Sequence, residues 1–170
     1  MDDNGDYGFL TRDQSWACDA ILFDKNGKEL WSYPGGLLHG VDDSLAGQME
    51  KDGKAKVVVG FDGGGGIVLL DGNGTQFWKK PQANVWHVET LDTNGNGRRE
   101  ILRSNARGQL LVLNANGEIL GRYLSSYQIR IFLKQGGVAN LRRSIFWFLQ
   151  KRAGPRAASQ FTWLWIPQAK

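Results

Sequence analysis

The sequence predicts an all-β fold, and three observations predict it. Glycine accounts for 23 of the 170 residues, well above the usual share of about 7%, which points to many tight turns and away from long helices. Asn-Gly pairs at Asn26-Gly27, Asn73-Gly74 and Asn116-Gly117 recur at spacings of 47 and 43. An Asp/Asn-rich segment precedes each pair, with Asp6, Asp52 and Asn96 spaced by 46 and 44. Two independent markers keep one period, so the chain reads as three copies of a unit of roughly 45 residues.

Each Asn-Gly pair joins two half-apolar runs. The runs are Ala20–Trp31, Ile67–Trp78 and Leu110–Gly121. Asn-Gly between apolar runs is the strongest short-range hairpin signal, and a type I′ turn, with positive φ at both central residues, is expected there. The Asp/Asn segment is followed by a second apolar strand, Val57-Val58-Val59 in copy two and Ile101-Leu102 in copy three, with Gly8-Phe9-Leu10 the weaker counterpart in copy one. Strands are therefore expected at 56–60, 66–70, 75–79, 100–104, 109–113 and 118–123. Runs such as Ile67–Leu70 are apolar throughout, which suits strands covered on both faces. Four antiparallel strands in about 45 residues make one propeller blade. The expected architecture is a partial β-propeller of about three four-stranded blades, over 1–33, 34–80 and 81–123. A β-sandwich would not require this regular duplication.

The period stops after the third copy. The next Asp/Asn loop is due near residue 140, where the chain reads Val138-Ala-Asn140-Leu-Arg142-Arg143. Residues 124–170 are read as a non-repeat basic tail. Residues 1–121 carry 12 basic against 17 acidic residues, a net −5, whereas 122–170 carry nine basic residues and no acid. The overall +4 thus averages two unlike parts and does not argue for a nucleic-acid surface on the repeats. Two readings of the tail compete: an amphipathic segment on a membrane surface and a stretch translated in a shifted frame. The abrupt change in composition favours the second. Copy one begins inside its loop and three blades cannot close a ring, so a fragment of a longer protein is expected.

The residues exclude several function classes. One cysteine and two histidines are too few for a structural zinc site. No run of 18 apolar residues occurs, and Met1–Asp6 has neither the basic flank nor the apolar stretch of a signal peptide. Gly63–Gly66 lacks the Lys-Ser/Thr of a phosphate loop. No nucleophile elbow or Ser-His-Asp order is present. His87 and Glu89 share one strand face and read as an ordinary polar face.

Hard cations bind clustered oxygens at alternating loop positions. Copy three supplies them with Asp92, Asn94 and Asn96, the Arg98 carbonyl and Glu100 at the ninth position. It is not an EF-hand, because Arg103 stands where that loop needs a bidentate Glu. The competing reading is a metal-free Asx turn. Copy one offers a weaker second site in Asp2, Asn4 and Asp6, with Leu10 at the ninth position. Copy two offers Gln48, Glu50 and Asp52, but Lys56 takes the ninth position, and its ammonium is expected to replace an ion.

The segment Asp92-Thr-Asn94-Gly-Asn96-Gly-Arg98-Arg-Glu100-Ile101 resembles the calcium loop of FG-GAP/VCBS-type propellers, which also occur in integrin-like heads. The hairpin Leu22–Trp31 resembles the repeat of PQQ-like (quinoprotein-type) propellers, although that family's turn usually runs one residue longer between its Asp and its Gly-Lys. Trp31 and Trp78 fit that family's docking tryptophan, and Gly121 departs from it. The resemblance covers about residues 1–123. It implies bound Ca2+, a protein or carbohydrate ligand and an exported setting, and it spans enzymes, adhesion heads and scaffolds alike. The expected function is a non-enzymatic binding or scaffold module. The rival is part of a propeller enzyme, either a quinoprotein-like dehydrogenase or a polysaccharide lyase.

Overall fold

The computed structural model describes residues 8–12, 19–34, 39–81, 84–105, 107–124, 127–134, 145–151 and 162–164. They form antiparallel sheets with no helix among them. The first sheet has three strands, β1 (Gly8–Arg12), β2 (Ala20–Asp24) and β3 (Glu29–Tyr33). The second is a four-stranded meander of β4 (Val41–Gln48), β5 (Ala55–Phe61), β6 (Gly66–Asp71) and β7 (Gln76–Lys80). The third repeats that order with β8 (His87–Leu91), β9 (Glu100–Ser104), β10 (Gln109–Leu113) and β11 (Ile119–Leu124). A further three-stranded sheet, β12 (Tyr127–Lys134), β13 (Ile145–Lys151) and β14 (Thr162–Leu164), lies within the basic tail. All six strands expected from the repeat are present within one or two residues.

The second sheet explains why its strands are apolar throughout. Alternate residues of a strand point to opposite faces. Val57, Val59, Phe61, Val68 and Leu70 face the first sheet, where they pack with Ala20 and Val41 and against Leu10, Trp31 and Tyr33. Val58, Ile67 and Leu69 face the third sheet and pack with Val85, Val88, Ile101, Leu111 and Leu113. Both faces are dry, so neither alternation nor a polar face survives in β5 and β6.

The hairpin turns differ from the expected type I′. Gly27 N–H donates to the Asp24 carbonyl (3.1 Å) and Asp24 N–H to the Lys28 carbonyl (2.8 Å). Lys25 and Asn26 are therefore the central residues of the turn, and Gly27 follows them with φ +80°. Gly74 and Gly117 repeat this arrangement, with φ +82° and +75°. Three residues past the glycine a separate bulge leaves one residue of the second strand unpaired, with register shifts at Leu22/Phe23, Leu69/Leu70 and Val112/Leu113. The turn itself is a three-residue loop with its glycine at positive φ. The physical reason is the Asx residue that opens it. Asp24 Oδ1 accepts from Asn26 N and Lys28 N (2.8 and 2.9 Å), Asp71 Oδ1 from Asn73 N and Thr75 N (2.9 and 2.8 Å), and Asn114 Oδ1 from Asn116 N and Glu118 N (3.0 and 2.9 Å). Two backbone donors that a two-residue turn would leave to water are satisfied. The Lys28 N–H bond is also the main reason that the Asp24 carboxyl lies below its ordinary 3.8.

Successive sheets are joined through these turns. The Trp31 indole Nε1 on β3 donates to the Gly72 carbonyl in the turn of the second sheet (3.0 Å). Trp78 on β7 repeats the bond to the Ala115 carbonyl of the third sheet (2.8 Å). Each ring lies against the turn glycine, so that a Cβ on Gly74 would stand 2.8 Å from Trp31 and one on Gly117 3.0 Å from Trp78. Gly27 has no described neighbour within 4 Å of such a Cβ. Both Gly27→Ala and Gly74→Ala place an L side chain at positive φ, which costs about 1–2 kcal/mol. We expect Gly74→Ala to destabilise the protein by a further ~1 kcal/mol or more through the displaced indole. Equal losses in urea denaturation would show that the ring contact contributes nothing.

Candidate functional site

The two described Asp/Asn loops connect the first and second strands of the second and third sheets. In the loop between β8 and β9, here called loop three, every expected ligand residue hydrogen-bonds within the loop. Asp92 Oδ1 accepts from Gly95 N and Oδ2 from Gly97 N (2.9 Å). Asn94 Oδ1 accepts from Asn96 N (3.0 Å), and Asn96 Oδ1 from Arg98 N (2.7 Å). The chain thus coils around a succession of side-chain oxygens. Glu100 on β9 is only 4% exposed and reaches back to the loop. Its Oε2 accepts from Thr93 N (2.7 Å) and Thr93 Oγ1 (2.6 Å), and its Oε1 from Asn94 Nδ2 (3.3 Å).

These residues fit a hard cation in part. Asp92, Asn94 and Asn96 bring side-chain oxygens of the kind hard cations take, and the Arg98 carbonyl extends the series. Glu100 already holds three donors, two on Oε2 and one on Oε1. Among the described residues, no group of three or more His, Cys, Asp or Glu is placed to hold a metal. Loop three brings two carboxylates and two amides instead.

The loop between β4 and β5, loop two, is organised by a lysine. Lys56 Nζ pairs with Glu50 Oε2 and stands 3.9 Å from Asp52 Oδ2. Lys56 is 7% exposed and lies 5.6 Å from the Phe77 ring centroid, a distance suited to a cation–π contact. The structure places the Lys56 ammonium against the two acids of the loop. Asp2, Asn4 and Asp6 lie outside the described residues. Across the hairpins, Lys56 pairs with Asp71 and Gly8 pairs with Asp24.

His87 and Glu89 share the half-buried face of β8, while Val88 and Thr90 are buried. Glu89 Oε1 accepts from Thr90 N (2.7 Å), and His87 Nδ1 lies 3.6 Å from Asp43 Oδ2. Asp43 was not anticipated from the sequence. It sits at a register shift in β4, and its Oδ2 accepts from Val88 N of the next sheet (3.0 Å). A carboxylate inside a strand that otherwise tends to alternate is the signal that could have found it.

No family model matches the chain, and no curated protein matches it. Among solved structures, a protein of unknown function from Bacteroides caccae matches with a TM-score of 0.47 and 14% identity, over 91% of this chain and 60% of its own. BBS1N, from a crystal structure in complex with ARL6DN, matches with a TM-score of 0.53 and 13% identity, over 89% of this chain and 50% of its own. The chain spans half to three-fifths of the length of these two proteins. The likeness to BBS1N is one of β-sheet fold alone.

The geometry of Glu100 makes a prediction that needs no metal. Hydrogen bonds to a buried charged group contribute about 1.5–3 kcal/mol. Glu100→Ala should therefore lower stability by ~2–3 kcal/mol in the presence of a chelator. Unchanged urea denaturation of this variant in chelator would show that the Thr93 and Asn94 bonds do not hold the loop.

Proposed function

We propose that the sheets are successive blades of a β-propeller, and that the chain is a non-enzymatic binding or scaffold module whose third loop holds calcium. The propeller reading is supported by the order of contacts. The first strands of neighbouring sheets touch, β4 against β8 and β8 against β12, and β1 of the first sheet touches β4. The last strand of each of the first two sheets docks its tryptophan on the next turn.

One observation carries the binding role. The extra residue of each hairpin bulge is Leu30, Phe77 or Leu120, and these are 54%, 57% and 57% exposed. A large apolar side chain thus recurs at the same exposed position on the last strand of three sheets. Single exposed apolar residues are ordinary, and it is the recurrence in every copy that supports a contact role. The partner class is a protein or a carbohydrate, and the exported setting rests on the resemblance of loop three to exported repeats.

The test compares the wild type with a Leu30→Ser, Phe77→Ser, Leu120→Ser variant on glycan and extracellular-protein arrays. The expected result is loss of the wild-type hits with little change in Tm. Hits that persist in the triple variant, or no hits at all, would overturn these residues as a binding surface. Calcium, when bound, would cross-link the loop through Asp92, Asn94, Asn96, the Arg98 carbonyl and Glu100. Millimolar calcium should then raise the Tm of the wild type and not that of Asp92→Ala, because an ion held only by the native state stabilises it. Equal shifts in both proteins would remove calcium from loop three.

A further inference from the structure

We propose that Lys56 acts as the built-in cation of loop two, and that the loop it locks positions loop three across the sheet junction. Two observations on opposite sides of Glu50 carry this. Met49, 1% exposed, immediately precedes Glu50, and its carbonyl accepts from Arg99 N at the end of loop three (2.8 Å). Lys51 immediately follows Glu50, and its side chain lies across Gly97, so that a Cβ there would stand 2.3 Å from Lys51 Cε. The residue between these two contacts is the one that Lys56 grips. The ammonium, buried beside the Phe77 ring, holds the partly exposed Glu50 carboxylate. Fixing Glu50 fixes the backbone at 49 and 51, and both of those residues touch the next loop.

The two loops place their charges in opposite arrangements. In loop two the acids sit in the loop, at Glu50 and Asp52, and the strand supplies the base, Lys56. In loop three the amides Asn94 and Asn96 take the matching loop positions, and the strand supplies the acid, Glu100. Loop two is therefore closed by a cation that belongs to the chain, and its closure needs no bound metal ion. It serves as the fixed platform, and loop three is the member of the pair whose contacts can respond to a ligand. Lys56 is a positioning residue for loop three, acting through Glu50.

The experiment is amide hydrogen exchange on the full chain in chelator, which makes it independent of whether loop three binds calcium. Lys56→Met keeps most of the apolar stem and removes the charge, and Lys56→Arg keeps the charge. In Lys56→Met, exchange at the Arg99 amide should accelerate at least tenfold, with Leu69 and Leu111 in the sheet ladders unchanged within twofold. Lys56→Arg should retain most of the Arg99 protection. Wild-type protection of Arg99 in Lys56→Met would overturn the proposal, because the ammonium would then not be the lock. A uniform acceleration that includes Leu69 and Leu111 would also overturn it, because Lys56 would then support the whole domain and not this junction.

Discussion

The contact on which the rest of this structure depends is an indole laid against a glycine in the turn of the next sheet. The glycine has positive φ and no Cβ, so the ring can approach the backbone closely. The indole N–H then reaches the carbonyl two residues earlier in the turn, Gly72 for Trp31 and Ala115 for Trp78. The tryptophan contributes both apolar area and a satisfied donor. The bond also fixes which part of one sheet faces which part of the next. Once the turns are in register, β5 and β6 are enclosed between two neighbours, and the apolar residues on both of their faces are buried together. The turn is therefore a joint between sheets as well as a reversal of the chain.

The same joint explains the form of the turn. A two-residue hairpin would bring the strands round but would leave the Asx side chain without its two backbone donors. The longer loop satisfies those donors and places one glycine beneath the docking ring. Three residues further on, a separate bulge leaves Leu30, Phe77 and Leu120 unpaired in the ladder and exposed.

Much of the fold was legible because it depends on local chemistry repeated at a fixed period. The Asn-Gly pairs, the apolar runs and the Asx loops each mark an element by composition, and their spacing marks the repeat. The pairing of Lys56 with the loop-two acids was also legible, since a base at the ninth position of an acidic loop has few other places to go. The type I′ turn was misread because the dipeptide Asn-Gly does not reveal where the turn begins. That is decided by the Asp or Asn two residues earlier. Glu100 was identified by position, but its grip on Thr93 and Asn94 became visible only when the strand and the loop were seen together.

By itself, the sequence determined that this chain is built of β-strands in a repeating unit, with an oxygen-rich loop and a glycine turn in each copy. These are properties of short segments, governed by φ preferences, side-chain alternation and hydrogen bonds between residues near in the chain. Only the tertiary structure decided which tryptophan meets which turn, that Asp43 of β4 caps the backbone of β8, and that loop two carries loop three on the Met49 carbonyl. Those contacts join residues 37 to 50 positions apart. Whether they form depends on how one sheet packs on the next, and no local pattern encodes that.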